Sequence, residues 1–275
     1  MSSPLTQRPG VFGIQSASGG VRSAIPEIPA LASLMHWFDF TDIDQLFQDT
    51  GSTVPVIGDG DPILSILNKG FDGTKLIEDG AASGSVIHSA NAVNRLPVGL
   101  FTGIELLSAT IAAATSGDEF TFAVVEAVPD TSGSNATSFG WQTSRCGLRM
   151  GGGNRAFTGF LGGIGVSPNP SVPFDIDRFQ WFYAASSGAP AVDNYKGNDS
   201  TLVAPEHSFG GLGNDPSVAA GQLFAIGDGS NAGFPSSDVF TGELAEILIW
   251  DAFLDSLARD GIVDYFVGKY GAFPV

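Results

Sequence analysis

The run Phe240-Thr-Gly-Glu-Leu-Ala-Glu-Ile-Leu-Ile-Trp-Asp251, followed by Phe253 to Gly271, decides how this chain folds. Glu243 to Trp250 is short and nearly continuous in apolar residues, the pattern of a strand covered on both faces. The period then changes. Asp255 is a favourable N-cap, Ala258, Ile262, Tyr265, Phe266 and Tyr270 recur at three- and four-residue spacing, and Gly271 supplies a C-terminal stop. The spacing predicts a buried strand feeding one amphipathic terminal helix.

Working outward, Leu34 to Phe40 is a β-prone run that opens the folded domain. Further strands are expected at Gly99 to Leu107, Glu119 to Ala127, Phe139 to Thr143, Gly147 to Met150, Ala156 to Phe160 and Arg178 to Ala185. Asn194 to Lys196, Ser200 to Val203 and Gln222 to Ile226 complete the set. Turn-forming spacers such as Asp130 to Asn135, Ser186 to Pro190 and Asp228 to Gly233 separate them. Residues 108 to 115 have the composition of a short helix. These elements predict an all-β sandwich closed by one helix.

Two blocks of sequence carry a resemblance. The last core strand and helix match the form G-x-(I/L)-A-E-(I/V)-x-(I/V)-(W/Y) followed by Y-(L/F)-x-x-K-Y-G, here Gly242 to Trp250 and Tyr265, Phe266, Lys269, Tyr270 and Gly271. The opening block comprises Trp37, Phe38, Asp39, Asp42, Leu46 to Asp49, Pro55, Val56, Gly60 to Ile63, Asn68, Lys69 and Gly70. Together they bracket residues 34 to 271 and resemble laminin-G-like, concanavalin-A-like jelly-roll modules frequent among phage tail, head-fibre and other virion surface proteins. The resemblance implies a jelly-roll domain over residues 34–275 and a virion protein, as head decoration, fibre or tail appendage. It would be assembled in the bacterial host cytoplasm as a homo-oligomer with capsid or tail subunits. A capsid cement protein without sugar binding and a bacterial carbohydrate-binding module are the competing classes.

The composition narrows the partners. With 29 Asp plus Glu against 12 Lys plus Arg, the formal charge of -17 repels phosphate backbones and anionic membranes, so nucleic acid is not expected as a partner. The 21 Phe can fill a sizeable aromatic core. Cys146 is the only cysteine, which excludes an internal disulfide and a cysteine-based zinc site. The first thirty residues contain no apolar run of signal-peptide length, and no stretch is long and apolar enough for a membrane helix. Neither export by a cleaved signal nor membrane insertion is therefore expected.

Residues 1–33 lack either hydrophobic period and are punctuated by Pro4, Pro9, Pro26 and Pro29. They are expected to form an extended arm that lies on a partner subunit or on its own sandwich, with Arg8, Val11, Phe12 and Arg22 as anchors.

Enzymatic chemistry finds little support in the motifs. A glycosidase on this fold would carry carboxylates at alternate strand positions, and the nearest pair, Glu243 and Glu246, has odd spacing that puts the two on opposite faces of the strand. His36, His88 and His207 stand far apart, with no H-E-x-x-H or G-x-S-x-G. The chain is expected to be no enzyme. Asp39, Asp42, Asp44, Asp59 and Asp61, and Asp228, Asn231 and Asp238, are either calcium donors in loops or turn formers. Glycan binding would draw on Trp141, Arg145 and Asn154, and on Phe209, Asn214, Asp215, Asn231 and Phe234 from two glycine-rich loops. Trp37, Trp181 and Trp250 are assigned to the core, and Trp141 is either platform or core.

Overall fold

A computed structural model describes residues 25–79, 84–111, 119–128, 136–141, 147–151, 156–161, 164–166, 179–187, 192–197, 221–227 and 239–271. In chain order the strands are β1 (Leu34–Asp39), β2 (Leu46–Phe47), β3 (Pro62–Ile63), β4 (Ser65–Ile66), β5 (Leu76–Glu78), β6 (Val86–Val93), β7 (Leu96–Thr102) and β8 (Leu107–Thr110). They continue as β9 (Glu119–Ala127), β10 (Ala136–Trp141), β11 (Gly147–Gly151), β12 (Ala156–Leu161), β13 (Ile164–Val166), β14 (Phe179–Ser187), β15 (Val192–Gly197), β16 (Leu223–Ile226) and β17 (Thr241–Trp250). The helix α1 (Ser256–Tyr270) follows.

These strands form two antiparallel sheets. One runs β15-β14-β9-β17-β7-β6-β3 with β1 also paired to β17, and the other runs β13-β12-β11-β10-β16-β8-β5-β4-β2. Strand β17 is central to the first: β9 occupies one edge over Glu243 to Trp250, while β7 and β1 lie end to end on the other. The architecture is a jelly-roll β-sandwich with a C-terminal helix, the fold the sequence predicts.

The side chains of β9 show why the central strands carry apolar residues on both faces. Phe120, Phe122 and Val124 point into the core between the sheets, beside Phe38, Phe139, Trp141 and Phe224. The alternate residues Ala123, Val125 and Ala127 point the other way and pack with Ile262, Phe266 and Tyr270 of α1. Both faces of this sheet are covered, so the period-two signal disappears. The helix itself begins where Asp255 Oδ1 accepts from the amide of Ala258 at 2.9 Å and ends at Gly271, whose φ of 73° favours glycine.

A register shift in β17 between Leu244 and Glu246 changes one sequence expectation. Leu244 and Ile247 both enter the inter-sheet core, so Ala245 and Glu246 together occupy the helix side between them. This bulge puts Glu243 and Glu246 on the same face, not on opposite ones, because two residues are inserted between core positions where a regular strand has one. The second correction concerns residues 108 to 115. Leu107 to Thr110 form β8, paired to β5 and β16, and not the start of a helix. The expected strand from Gly99 to Leu107 is interrupted at Gly103 (φ 98°), where the chain crosses between sheets. The Glu105 carboxylate holds this crossing by accepting from the amides of Thr102, Gly103 and Ile104 at 2.7, 2.9 and 3.1 Å.

The last residues of the expected arm already lie on the domain. Ile28 is buried, and the Trp250 indole donates to the Pro29 carbonyl at 3.1 Å. Glycines in α1 make room for this segment: a Cβ at Gly261 would stand 2.7 Å from Pro29, and one at Gly268 2.5 Å from Pro26. Arg8, Val11, Phe12 and Arg22 lie outside the described residues.

Candidate functional site

The two sequence blocks that bracket the chain converge on a buried polar network between β1, β17, the Asn68–Gly70 turn and α1. Glu246, placed on the helix side by the bulge, is fully buried. Its Oε1 accepts from Trp37 Nε1 at 2.7 Å and from the Tyr265 hydroxyl at 2.8 Å, while Oε2 accepts from the Tyr270 hydroxyl at 2.7 Å and faces Lys269 Nζ at 3.0 Å. Lys269 also reaches Asp39 Oδ2 at 2.9 Å, and Lys69 reaches the same oxygen at 2.9 Å and Asp42 at 2.8 Å. Lys69 stacks over the Trp37 ring, 4.3 Å from its centroid.

Electrostatics follow from this geometry. Burial alone would raise the Asp39 carboxyl pKa, but Lys269 and Lys69 with the Thr41 hydroxyl outweigh it and hold the group well below the usual carboxylate range. For Glu246 burial dominates and the pKa rises, with Lys269 offsetting part of the effect and Asp39 adding to it. Burial and then the Glu246 charge push both the Tyr265 and Tyr270 hydroxyls well above their ordinary value. Both tyrosines therefore remain donors at physiological pH, as Glu246 requires. Such a network fixes the approach of α1 to the sheet more than it adds net stability.

Beside it, Asn68 Oδ1 accepts from the amides of Trp37 and Gly70, both at 2.8 Å, which orients its amide nitrogen toward His36 Nδ1 at 3.0 Å. His36 is thereby assigned as the neutral ring with its proton on Nε2. The ring stacks on Phe38 and Phe224 in the core. Burial lowers its pKa to about 4, although Asp72 pulls the other way.

Of the residues expected to bind glycan, Trp141 is described, and it is fully buried. Its ring packs on Phe224 and Phe120 at centroid distances of 4.9 and 5.3 Å. The platform assignment of Trp141 is thus corrected: alternation along β10 turns it inward, where the aromatic core needs its volume. Arg145, Asn154, Phe209, Asn214, Asp215, Asn231 and Phe234 lie outside the described residues, as do the calcium candidates Asp228 and Asp238. Asp39 is neutralised by lysines, and Asp61 Oδ2 accepts from the amides of Ile57 and Gly58 at 3.0 and 2.9 Å. Asp59 Oδ1 caps the Ala90 amide at 2.8 Å, and Asp42 caps that of Asp44 at 3.2 Å. Among the described residues no three His, Cys, Asp or Glu side chains gather as a metal site.

Two further features escape the sequence motifs. Glu126, on β9, is buried in the sandwich, and among the described residues no hydrogen bond of ordinary geometry reaches either carboxyl oxygen. Burial raises its pKa to about 8, with the Ser138 hydroxyl across the core offsetting only part of the rise. A cleft of about 420 Å³ opens at the β7–β17–β9 end and is lined by Leu100, Thr102, Ala127, Val128, Thr241 and Glu243 among others. No motif flagged it because its residues come from three separated strands.

Comparison with known proteins bears on the fold. No protein-family model matches the chain, and no curated protein matches it in sequence. Among solved structures, a mutant GH54 α-L-arabinofuranosidase soaked with 4-nitrophenyl α-L-arabinofuranoside superposes with a TM-score of 0.50 and 11% identity, covering 78% of this chain and 52% of that one. The chain thus spans about half the length of that enzyme. Domain 4 of the extracellular GH43 arabinanase AbnA from Geobacillus stearothermophilus, in complex with arabinotriose, gives 0.48 and 13% over 84% of this chain and 98% of that one. The heptameric SAP-like pentraxin of Limulus polyphemus gives 0.46 and 14% over 60% and 80%. At these identities the arabinofuranosidase match speaks for the β-sandwich fold and nothing finer.

Proposed function

We propose that the chain is a non-enzymatic surface module of a bacteriophage virion, a head decoration or a fibre or tail appendage, docked through its N-terminal segment and binding host glycan. The observation that carries this reading is the fate of the motif residues. Trp37, Asp39, Lys69, Glu246, Tyr265, Lys269 and Tyr270 are all spent on joining β1, β17 and α1. The Glu246 carboxylate accepts from three neutral donors and faces a lysine, so it is part of the framework and not poised over a sugar. Recognition on such a frame belongs to its loops and clefts.

The sequence resemblance supplies the virion context, and the resemblance of fold to an α-L-arabinofuranosidase soaked with 4-nitrophenyl α-L-arabinofuranoside makes saccharide a sensible ligand to test first. Copies of the chain would assemble together and with capsid or tail subunits on the particle surface. The test has two arms. Antibody raised against the chain is applied to particles released from the bacterium that carries its gene, with labelling of the particle surface expected. The purified chain is then passed over arrayed bacterial surface polysaccharides, with retention of at least one class expected. Unlabelled particles would refute the virion assignment. Labelled particles with no retained polysaccharide would leave the cement protein as the function.

A further inference from the structure

The cleft at the β7–β17–β9 end is built by strand register. Glu243 stands directly across from Leu100 on one side and Ala127 on the other, and Thr241 across from Thr102. Direct cross-strand neighbours lie about 5 Å apart at Cβ, so these side chains form one surface. Because Leu244 faces the core, this surface is the helix side of the sheet, next to the position where Glu246 meets Tyr265 and Tyr270. Backbone geometry deepens it. Gly242 takes a φ of 148°, and a Cβ there would come within 2.4 Å of the Ala127 carbonyl oxygen, so β17 and β9 close in a way only glycine allows.

We propose that this cleft is a saccharide subsite in which the Glu243 carboxylate accepts hydrogen bonds from two neighbouring sugar hydroxyls while Leu100 and Ala127 pack on the sugar's C–H face. The inference rests on the glycan-binding reading above and gives that binding a location. The volume of about 420 Å³ falls within the ordinary range of small-ligand sites and has room for a mono- or disaccharide.

Glu243 is the distinguishing group. Its neighbours Leu100 and Ala127 are apolar, and no hydrogen bond or ion pair to a described residue engages its carboxylate, in contrast to Glu246 and Glu105. Half-burial raises its pKa and nothing offsets the rise. A partly desolvated carboxylate of this kind gains from an incoming pair of O–H donors, which complete its hydrogen bonding with charge assistance. Thr102 has already given its hydroxyl proton to Glu105 and presents only a lone pair. The Thr241 hydroxyl lies over Gly103, where a Cβ would come within 2.9 Å of it, and remains on the cleft wall to donate or accept. A ligand with several hydroxyls and an aliphatic face matches this mixture, whereas a bare ammonium would satisfy the carboxylate and waste the floor.

The experiment passes the full chain, Glu243→Ala, Glu243→Gln and Thr241→Val over arrayed bacterial saccharides, with thermal melts of each variant as the folding control. The expected result is retention of the wild-type chain and a loss of about tenfold or more in affinity for both Glu243 variants, with a smaller loss for Thr241→Val and unchanged melts. Should Glu243→Ala melt early, Glu243→Gln, which keeps the side-chain volume, decides. Retention equal to wild type in the Glu243 variants overturns the cleft assignment while leaving the glycan reading intact. Retention of no saccharide overturns both, and displacement of bound saccharide by free lysine but not by excess monosaccharide overturns the cleft in favour of a cation site.

Discussion

Replacing Glu126 by Gln should make the protein more stable, and increasingly so as pH rises. In the folded chain burial carries the Glu126 carboxyl from 4.5 to about 8, whereas in the unfolded chain it ionises near 4.5. The sign follows from proton binding. Below 4.5 both states hold the proton and the group costs nothing. Between 4.5 and about 8 the unfolded state releases it while the folded state keeps it, so unfolding gains about 1.4 kcal/mol for each pH unit. The penalty reaches about 3 kcal/mol at pH 7 and levels off near 5 kcal/mol at pH 8 and above. Screening by water does not reduce this much, since the side chain is 1% exposed. Glutamine has the same shape and no charge. Whatever its amide costs in the core is independent of pH, so the slope is the informative quantity. Urea melts of wild type and Glu126→Gln at pH 4.5, 6, 7 and 8 should diverge by several kcal/mol, corresponding to roughly 10 °C in Tm at the alkaline end. Parallel curves across that range would refute the assignment of Glu126 as a buried, unpaired acid.

Other consequences are equally direct. Lys269→Met leaves Asp39 and Glu246 buried with one cation fewer and should cost about 3–5 kcal/mol in urea denaturation; a cost below 1 kcal/mol would mean the network is not closed in solution. His36→Phe keeps the stack on Phe38 and Phe224. In wild type the unfolded ring takes a proton below 6.5 that the folded ring refuses until about 4, so stability falls as pH drops through that window, by about 3 kcal/mol in all. The variant should lose this acid sensitivity, and an unchanged acid limb of the stability curve would show that His36 is not buried neutral. Gly70→Ala drives a Cβ to 2.2 Å from the Met35 carbonyl oxygen, a backbone atom that cannot step aside, and should destabilise by about 3 kcal/mol or prevent folding. A neutral Gly70→Ala melt would contradict the packing of the Asn68–Gly70 turn on β1.

Much of the frame was legible because its signals are local. The cap at Asp255, the three- and four-residue spacing behind it and Gly271 locate α1, and the apolar run of β17 marks a strand covered on both faces. Strand β6 escaped notice because Val86-Ile-His-Ser-Ala-Asn-Ala-Val93 mixes buried Val86, His88 and Val93 with polar and small residues and has left-handed backbone at Asn91. The two-residue strands β2, β3 and β4 are too short for any period to register. Residues 108 to 115 gave a helical impression from composition alone, and sheet pairing to β5 and β16 overrode it.

The sites divide in the same way. Aromatic and carboxylate residues can be picked out by type, but whether Trp141 faces water or Phe224 depends on which sheet lies opposite. Glu243 and Glu246 look like an alternating pair gone wrong until the bulge at Ala245 is seen to turn both to one face.

What the sequence determined by itself was the strand-then-helix ending and the all-β frame, because periodicity and caps act over a few residues. What only the tertiary structure decided was the use of each polar group. Trp37 meets Glu246 across 209 residues of chain, whereas Glu126 has the Ser138 hydroxyl near it and, among the described residues, no hydrogen bond of ordinary geometry. Desolvation and pairing depend on what long-range register brings within 3 Å, and local spacing carries no record of that.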